Sequence, residues 1–247
     1  MNHFAVIIAA AGSGTRFQSG QQKKTYAMLD GKPVWRHSVG RFAERDDVEQ
    51  VLIVVSPEDH AWFVETYGNL LAAFRADVVA GGAERFDSVE NALSKVRAGI
   101  DFVAVHDGAR PCISNALLER VFSTARLKGN AVPAVAVSST IKRSANGEVV
   151  DATVDRSELF LSQTPQVFRV QELRSAFSRR GEFQPTDEAQ LMEMLGETVH
   201  LAEGCPLNLK ITTQQDVDFA EAALVSLHRS SAKPIHFDGP IDDSTLR

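Results

Sequence analysis

The stretch FAVIIAAAGSGTR, residues 4–16, opens the chain with apolar side chains on both faces of an extended backbone, followed by two glycines. Continuous apolar runs of this kind are typical of strands that helices cover on both sides. Similar runs recur along the chain, separated by segments with helical spacing. This alternation predicts an α/β protein with a mostly parallel sheet flanked by helices. The predicted strands are 4–10, 51–56, 76–80, 102–107 and 131–137, and the predicted helices are 34–44, 58–74, 84–97, 114–128, 170–180, 186–195 and 214–228.

The glycine turn after the first strand predicts an anion site. Gly12 and Gly14 have no Cβ, so backbone N–H groups can approach a phosphate closely. Arg16, Lys23 and Lys24 place positive charge just after the turn. The residues that define a Walker A loop or a dinucleotide-binding fingerprint are missing. A strand-to-helix turn with solvated lysines explains this loop equally well, so the choice depends on the rest of the chain.

The composition excludes several classes of protein. The 247 residues carry a formal net charge of −6, whereas a protein that binds nucleic acid through its backbone phosphates is usually basic. Two cysteines, Cys112 and Cys205, are too few for a disulfide framework and lack the spacing of metal ligands. No apolar stretch approaches the ~20 residues of a membrane span. We therefore expect a cytoplasmic protein with neither a nucleic-acid nor a membrane partner.

The pattern changes after residue 137. Asn146 and Gly147 lie between two β-prone runs, and this pair is a strong signal for a short hairpin turn. We interpret about 138–160 as a β-arm that protrudes from a single domain, residues 1–228. Because so small an arm is marginal alone, we expect it to pack on a second copy of the chain. Residues 229–247 have little apolar periodicity and are expected to form a flexible tail.

Polar residues also cluster after a later predicted strand, in GGAERFDSV (81–89). Arg85 and Ser88 are three residues apart, so they share one face near the start of a helix. A helix start offers N–H groups to a phosphate or a base edge. An exposed arginine on a first helical turn is the simpler explanation when this motif is taken alone.

The motif HDGARP (106–111) follows another predicted strand, at the edge of the sheet where open α/β proteins bind ligands. Asp107 there predicts a ligand for Mg²⁺ or for a substrate hydroxyl. The planar guanidinium of Arg110 suits a phosphate. His106 is interpreted as a structural residue rather than a general base.

Two late motifs leave their roles open. In PTDEAQ (185–190), a threonine followed by two acids is accounted for by helix capping. The segments 198–204 and 208–212 are predicted to be short strands. Lys210 then lies near the end of a late strand, where it is either functional or simply a solvated charge.

Taken together, these motifs resemble one family. In chain order they are AAAGSGTR, KKTYAMLDGKPV, GGAERFDSV, HDGARP, TIKR, VDR, QTPQVF, TDEA and NLKITT. The series is similar to the 2-C-methyl-D-erythritol 4-phosphate cytidylyltransferases of the non-mevalonate isoprenoid pathway and spans about residues 4–222. Each motif is a modest signal, but nine in the family's order are specific. The resemblance implies a Rossmann-like nucleotidyltransferase fold and a homodimer whose arm crosses to the partner.

The resemblance also implies a reaction. The acceptor's 4-phosphate attacks the α-phosphorus of CTP and pyrophosphate leaves, with Mg²⁺ or another divalent cation on the CTP phosphates. Asp107 is implied beside the metal. The other implied site residues are Arg16, Lys24 and Lys210 as catalytic cations; Ala10, Ala11, Gly12, Gly14, Gly82, Arg85 and Ser88 on the nucleotide; and Asp107, Arg110, Thr140, Arg156, Thr164 and Thr186 on the acceptor.

Three positions depart from the family's pattern. KKTY stands where PKQY is usual; alignment on Tyr26 selects Lys24, with Lys23 as the alternative. Gly108 replaces the middle alanine of HDAARP, and Ser139 replaces the usual acid before TIKR. The acceptor end is thus less defined than the nucleotide end. Ribitol-5-phosphate cytidylyltransferase is therefore the alternative enzyme, and a nucleotide-binding module without turnover is the alternative class.

Overall fold

A computed structural model describes residues 2–12 and 23–232, with the side chains of 230–232 left undescribed. The strands are β1 (Phe4–Ala9), β2 (Met28–Leu29), β3 (Lys32–Pro33), β4 (Val48–Val55), β5 (Ala76–Ala80), β6 (Phe102–Asp107), β7 (Asn130–Ala136), β8 (Ile141–Arg143), β9 (Ala152–Val154), β10 (Phe160–Ser162), β11 (Gln166–Arg169) and β12 (Leu201–Glu203). The helices are α1 (Val34–Ala43), α2 (His60–Phe74), α3 (Arg85–Leu93), α4 (Asn115–Lys128), α5 (Val170–Arg179), α6 (Glu188–Met194) and α7 (Gln215–Ala232).

The main sheet has the strand order β10-β7-β11-β6-β1-β4-β5, and β12 pairs with β7. Strands β5, β4, β1 and β6 are parallel, with Ile7 of β1 registered between Leu52 and Val105. Strand β11 runs antiparallel to both of its neighbours, β6 and β7. The predicted class, a mostly parallel sheet flanked by helices, is confirmed.

Strand β1 shows why the fold needs apolar residues on both faces. Its alternate residues Phe4, Val6 and Ile8 belong to a core that includes Trp35 of α1, Phe63 of α2 and Phe122 of α4. The residues between them, Ala5 and Ile7, belong to a second core with side chains of α3, α5 and α6. Because side chains alternate across a strand, one continuous apolar run supplies both layers.

The arm predicted at about 138–160 contains the hairpin β8–β9, which forms a separate two-stranded sheet. The connection is longer than the tight two-residue turn that Asn146-Gly147 suggests, because residues 144–151 separate the strands. Asn146 Oδ1 instead accepts hydrogen bonds from the N–H groups of Glu148 and Val149 within this loop. Gly147 has a φ of +78°, a conformation that favours glycine.

Several details differ from the sequence prediction. The segment 208–212 is not a strand; its apolar side chains Leu209 and Ile211 pack in a core with residues of α7, which produces a strand-like alternation. Strands β10 and β11 were not predicted. Helix α7 continues into the segment expected to be a tail, and residues 233–247 lie outside the described residues. No helix within the described ranges is long and apolar enough to cross a membrane.

Candidate active site

The carboxyl ends of β1, β4, β5 and β6 open on a cavity of about 630 Å³. The loops that follow these strands converge there because parallel strands end at the same edge of the sheet. The lining residues are Ala9, Ala11, Gly12, Lys24, Thr25, Ser56, Pro57, Glu58, Gly82, Ala83, Glu84, Arg85, Ser88, Asp107, Ala109 and Lys210. Motifs that are far apart in the sequence thus share one cavity.

The turn between β5 and α3 requires its two glycines. A Cβ on Gly82 would lie 2.5 Å from Asp87 Cβ, and one on Gly81 would lie 2.8 Å from Ser88 Oγ. The Gly82 N–H donates to Ser88 Oγ at 3.0 Å, so the serine hydroxyl also fixes the turn. This close approach brings backbone to the cavity wall, an arrangement suited to a planar or phosphate-bearing ligand.

Asp107 lies at the end of β6 and is surrounded by three cations. Lys210 Nζ lies 2.8 Å from its Oδ2, Arg110 Nε lies 3.4 Å from the same oxygen, and Arg85 Nη2 lies 3.5 Å from Oδ1. Burial opposes ionisation of this carboxyl, but the nearby positive charges, chiefly Arg85 and Lys210, outweigh it and hold the pKa of Asp107 well below its usual range. The site therefore keeps a carboxylate among cations.

Glu188 is a site residue that the sequence analysis missed. Its carboxylate is buried and takes both Nη atoms of Arg85, at 2.7 and 3.1 Å. Burial disfavours the charged arginine, but Glu188 and Asp107 more than compensate, so the pKa of Arg85 is raised. A glutamate in a first helical turn is usually assigned to capping, and only the fold shows that this one reaches α3.

The capping prediction for the same motif is corrected in one respect. Asp187, rather than Thr186, is the N-cap of α6, because its Oδ1 accepts a hydrogen bond from the Gln190 N–H at 2.9 Å. Thr186 is exposed, and its hydroxyl donates to Gln190 Oε1 at 3.1 Å. Thr186 thus lies beside the α6 start rather than in the cavity wall.

His106 forms a buried hydrogen-bond chain with its neighbours. Thr164 Oγ1 accepts from the Asp107 N–H at 3.0 Å and lies 3.1 Å from His106 Nδ1. The Arg110 carbonyl, 3.1 Å from Nε2, can only accept, so Nε2–H donates to it. In the neutral ring Nδ1 then accepts from the Thr164 hydroxyl. Burial lowers the pKa of His106 to about 4. Both ring nitrogens are committed, which agrees with a structural role.

A second set of contacts fixes the loop that carries Lys210. Arg110 Nη1 donates to the Asn208 carbonyl at 2.8 Å, and the fully buried Asn208 side chain donates to the Thr164 carbonyl at 2.9 Å. Gln163 exchanges hydrogen bonds with the backbone of Cys205. Arg110 and Thr164, for which the family resemblance implies a role in acceptor binding, thus position Asp107 and Lys210.

The two adjacent lysines have different surroundings. Lys24 lines the cavity. Lys23 Nζ lies within 3 Å of Ser56 Oγ, Glu58 Oε1 and Asp59 Oδ2. No local sequence signal predicts these contacts, because the partners come from the loop after β4.

The remaining predicted residues are placed as follows. Ala10 is buried and does not appear in the cavity wall, whereas Ala11 and Gly12 do. Thr140 and Arg156 are exposed on the arm, and neither lines the cavity of its own chain. Gly14 and Arg16 lie outside the described residues.

The described residues of the site provide few side chains that could bind a metal ion. No group of three His, Cys, Asp or Glu side chains able to hold a metal occurs within residues 2–12 and 23–232. Magnesium is commonly bound by one or two carboxylates together with substrate phosphates. Asp107 offers one such carboxylate, so the described residues suit a cation that a phosphorylated ligand brings with it.

Comparison with known proteins extends these observations. The family model described as IspD, 2-C-methyl-D-erythritol 4-phosphate cytidylyltransferase, matches residues 4–226. The enzyme of that name from Rhodopirellula baltica is 41% identical over 231 residues, covering 89% of this chain and 94% of that protein. The one from Bacillus mycoides is 36% identical over 223 residues, covering 90% and 97%. The crystal structure of the Thermus thermophilus enzyme matches with a TM-score of 0.75 and 31% identity, covering 91% of this chain and 100% of that chain.

Proposed function

The chain belongs to the 2-C-methyl-D-erythritol 4-phosphate cytidylyltransferase family, and on that premise we propose that it transfers the cytidylyl group of CTP to 2-C-methyl-D-erythritol 4-phosphate. The products are 4-diphosphocytidyl-2-C-methyl-D-erythritol and pyrophosphate, in the synthesis of isoprenoid precursors. The observation that carries the proposal is the single cavity in which Lys24, Lys210 and Asp107 meet the glycine turns of two loops.

The nucleotide occupies the side of the cavity formed by the loops after β1 and β5. Ala11, Gly12 and Gly82 present backbone to it, and Ser88 holds the second turn in place. Gly14 and Arg16 remain predictions for the same ligand. Because glycine has no Cβ, these turns leave room for a base or a phosphate where a side chain would block it.

The chemistry requires charge neutralisation more than proton transfer. The acceptor is a phosphate monoester with a second pKa of about 6, so its nucleophilic oxygen is largely ionised at neutral pH. Negative charge then builds up on the α-phosphoryl oxygens and on the leaving pyrophosphate. We assign Lys24 and Lys210 to that charge, because preorganised cations at such a site lower the barrier. His106 needs no part as a base, since both of its ring nitrogens are already hydrogen-bonded.

We also propose a requirement for Mg²⁺. Asp107 is the residue that would hold it, together with the CTP phosphates. When bound, the cation would offset negative charge on those phosphates. Asp107 would meanwhile keep Lys210 oriented toward the cavity through their 2.8 Å ion pair.

The acceptor is proposed to bind at the Asp107–Arg110 side and to need a second subunit. Arg110 and Thr164 contact Asp107, and Thr186 lies just before α6, whose Glu188 pairs with Arg85. Thr140 and Arg156 extend from an exposed arm, so we propose that the enzyme is a homodimer in which they complete the partner's site. The free thiols of Cys112 and Cys205 suit the reducing cytoplasm, where we place the reaction.

The proposal is tested by pyrophosphate release from CTP and Mg²⁺ with either acceptor, 2-C-methyl-D-erythritol 4-phosphate or D-ribitol 5-phosphate. We expect release with the first and a rate at least about a hundredfold lower with the second, the size of discrimination that a difference of one methylene or hydroxyl group allows. The names of the relatives favour the first acceptor. Release with ribitol 5-phosphate alone would refute the proposal that 2-C-methyl-D-erythritol 4-phosphate is the acceptor. CTP binding without release with either acceptor would mean a binding module.

A further inference from the structure

The segment from Lys23 to Tyr26 is fixed to the loop after β4 at both of its ends. Lys23 Nζ donates to Ser56 Oγ at 2.7 Å, to Glu58 Oε1 at 2.9 Å and to Asp59 Oδ2 at 2.7 Å. The Tyr26 hydroxyl donates to the same Asp59 oxygen at 2.9 Å. We call these five side chains the Lys23 cluster. Lys24 lies between the two anchored residues and lines the cavity.

Packing keeps the anchored segment in one place. The Tyr26 N–H donates to the Lys23 carbonyl at 2.9 Å, which closes a turn around Lys24. The buried Tyr26 ring lies 5.2 Å from the ring of Trp62 and 5.9 Å from that of Phe63, centroid to centroid. The side chains of Lys23 and Asp59 are 19% and 21% exposed, so their ion pair is partly shielded from solvent. The turn therefore has a defined position relative to the sheet edge.

The charges of the Lys23 cluster matter because of the ligand. Glu58 lines the cavity, and its side chain is 70% exposed. A carboxylate there repels a triphosphate unless a cation offsets it. The hydrogen bond from Lys23 is the main reason that the pKa of Glu58 is lowered to about 2. The carboxylate is thus ionised at neutral pH, as an ordinary glutamate is. Burial opposes the charge on Lys23, yet its bonds to Asp59 and Glu58 raise its pKa.

We propose that Lys23 is a positioning residue of the nucleotide site: it offsets the charge of Glu58 and Asp59 and holds the 23–26 turn so that Lys24, not Lys23, meets the CTP phosphates. This inference rests on the proposed function only in taking CTP as the ligand. The two adjacent lysines then have different roles in nucleotide binding. Lys23 acts on the charge and position of the loop, and Lys24, which lines the cavity, is assigned to the ligand.

The test is a double-mutant cycle read out by the dissociation constant of CTP in the presence of Mg²⁺, measured by titration calorimetry. Lys23→Met leaves the cluster one charge more negative and is expected to weaken CTP binding about tenfold. Lys23→Met with Glu58→Gln restores the original net charge of the cluster and should recover affinity to within about threefold of wild type. Glu58→Gln alone should tighten binding by no more than about twofold, because Lys23 already offsets that charge.

Matched variants at Lys24 provide the control. Lys24→Met changes the charge by the same amount one residue away, but Glu58→Gln should not rescue it, because the lost cation contacts the ligand. Lys23→Arg should keep the CTP dissociation constant within about threefold of wild type, since it preserves the charge. Thermal unfolding of each variant is followed by circular dichroism; Glu58 is largely exposed, so Glu58→Gln remains informative if Lys23→Met fails to fold. In that case an affinity gain above about threefold for Glu58→Gln alone would overturn the inference, and a smaller one would support it.

The outcomes separate this inference from the proposed function. Unchanged CTP affinity in Lys23→Met would overturn the inference, as would a lack of rescue by Glu58→Gln, which would make Lys23 a direct phosphate ligand. Rescue at Lys23 but not at Lys24 would support it. The binding cycle needs no acceptor, so it decides the inference even if neither acceptor releases pyrophosphate. Absence of CTP binding by the wild-type chain would overturn both.

Discussion

The cavity and the arm are built in opposite ways. Around the cavity, several charged side chains are buried and paired, as in the Arg85–Glu188 pair, where the glutamate is only 1% exposed. On the arm, the bond from Lys142 Nζ to Thr153 Oγ1 is exposed, and the hairpin β8–β9 belongs to no larger sheet. Exposed polar contacts contribute little to stability, whereas buried ones fix geometry. Buried ion pairs therefore fix the described residues around the cavity, whereas the contacts of the arm are exposed, which agrees with the proposal that the arm completes a partner's site.

The substitution with the largest expected effect is at Lys24. Lys24→Met removes a cation from the cavity and should lower kcat about 10²–10³-fold, the cost of losing one preorganised charge-stabilising group. The CTP dissociation constant should change less, because the charge develops during the reaction. Steady-state pyrophosphate release measures kcat, and Lys128→Met at the exposed C-terminal end of α4 is the control. A near-normal kcat for Lys24→Met would remove Lys24 from the mechanism.

The second effect concerns stability. Glu188→Ala removes the bidentate partner of Arg85 and leaves it, among the described residues, only the 3.5 Å contact with Asp107. The free energy of unfolding should fall by about 3 kcal/mol, the low end for a buried pair, because the Arg85 side chain is 30% exposed. Urea denaturation of the purified protein measures this change.

The matched arm variant for that experiment is Asp151→Ala, which removes the exposed hydrogen bond between Asp151 Oδ2 and the Ala145 N–H. Its cost should be about 0.5 kcal/mol. If the two variants lose equal stability, the contrast between a buried site and an exposed arm does not hold.

The third and smallest effect compares two glycines. Gly82→Ala places a Cβ 2.5 Å from Asp87 Cβ, so the start of α3 must shift and CTP affinity should fall at least about tenfold. Gly147→Ala in the arm meets no atom within 4 Å, and its cost comes only from its φ of +78°. It should destabilise the loop by about 1 kcal/mol and leave CTP binding unchanged. Calorimetric titration with CTP distinguishes the two variants.

The sequence predicts the parts of the molecule that follow from local pattern. The strands β1, β4, β5, β6 and β7 stand out because they are apolar on both faces. The prediction of a strand at 208–212 was wrong because its alternating apolar residues belong to a loop that packs against α7. Strand β11 is only four residues long and overlaps the motif QTPQVF. Its hydrophobic pattern is therefore too short to identify it as a strand.

Within the site, spacing identifies candidates but does not reveal their partners. Asp107 and Lys210 are 103 residues apart in the sequence, and their 2.8 Å ion pair exists only because β6 and the last loop meet in the fold. The choice between Lys23 and Lys24 likewise depends on Glu58 and Asp59, which no motif includes. Glu188 resembles a capping acid until the fold brings it to Arg85. Contacts across the sheet edge are the information that a single sequence lacks.

A complementation experiment tests whether the nucleotide end is complete in one chain and the acceptor end is completed by a partner. Lys24→Met and Arg156→Ala chains are co-expressed with different affinity tags, and the heterodimer is purified through both. If the arm serves the partner, one of its two sites carries both substitutions and the other carries neither, so the heterodimer should show about half of the wild-type pyrophosphate-release rate while each homodimer is strongly impaired. A heterodimer no more active than the average of the two homodimers, or the absence of any dimer, would contradict the claim.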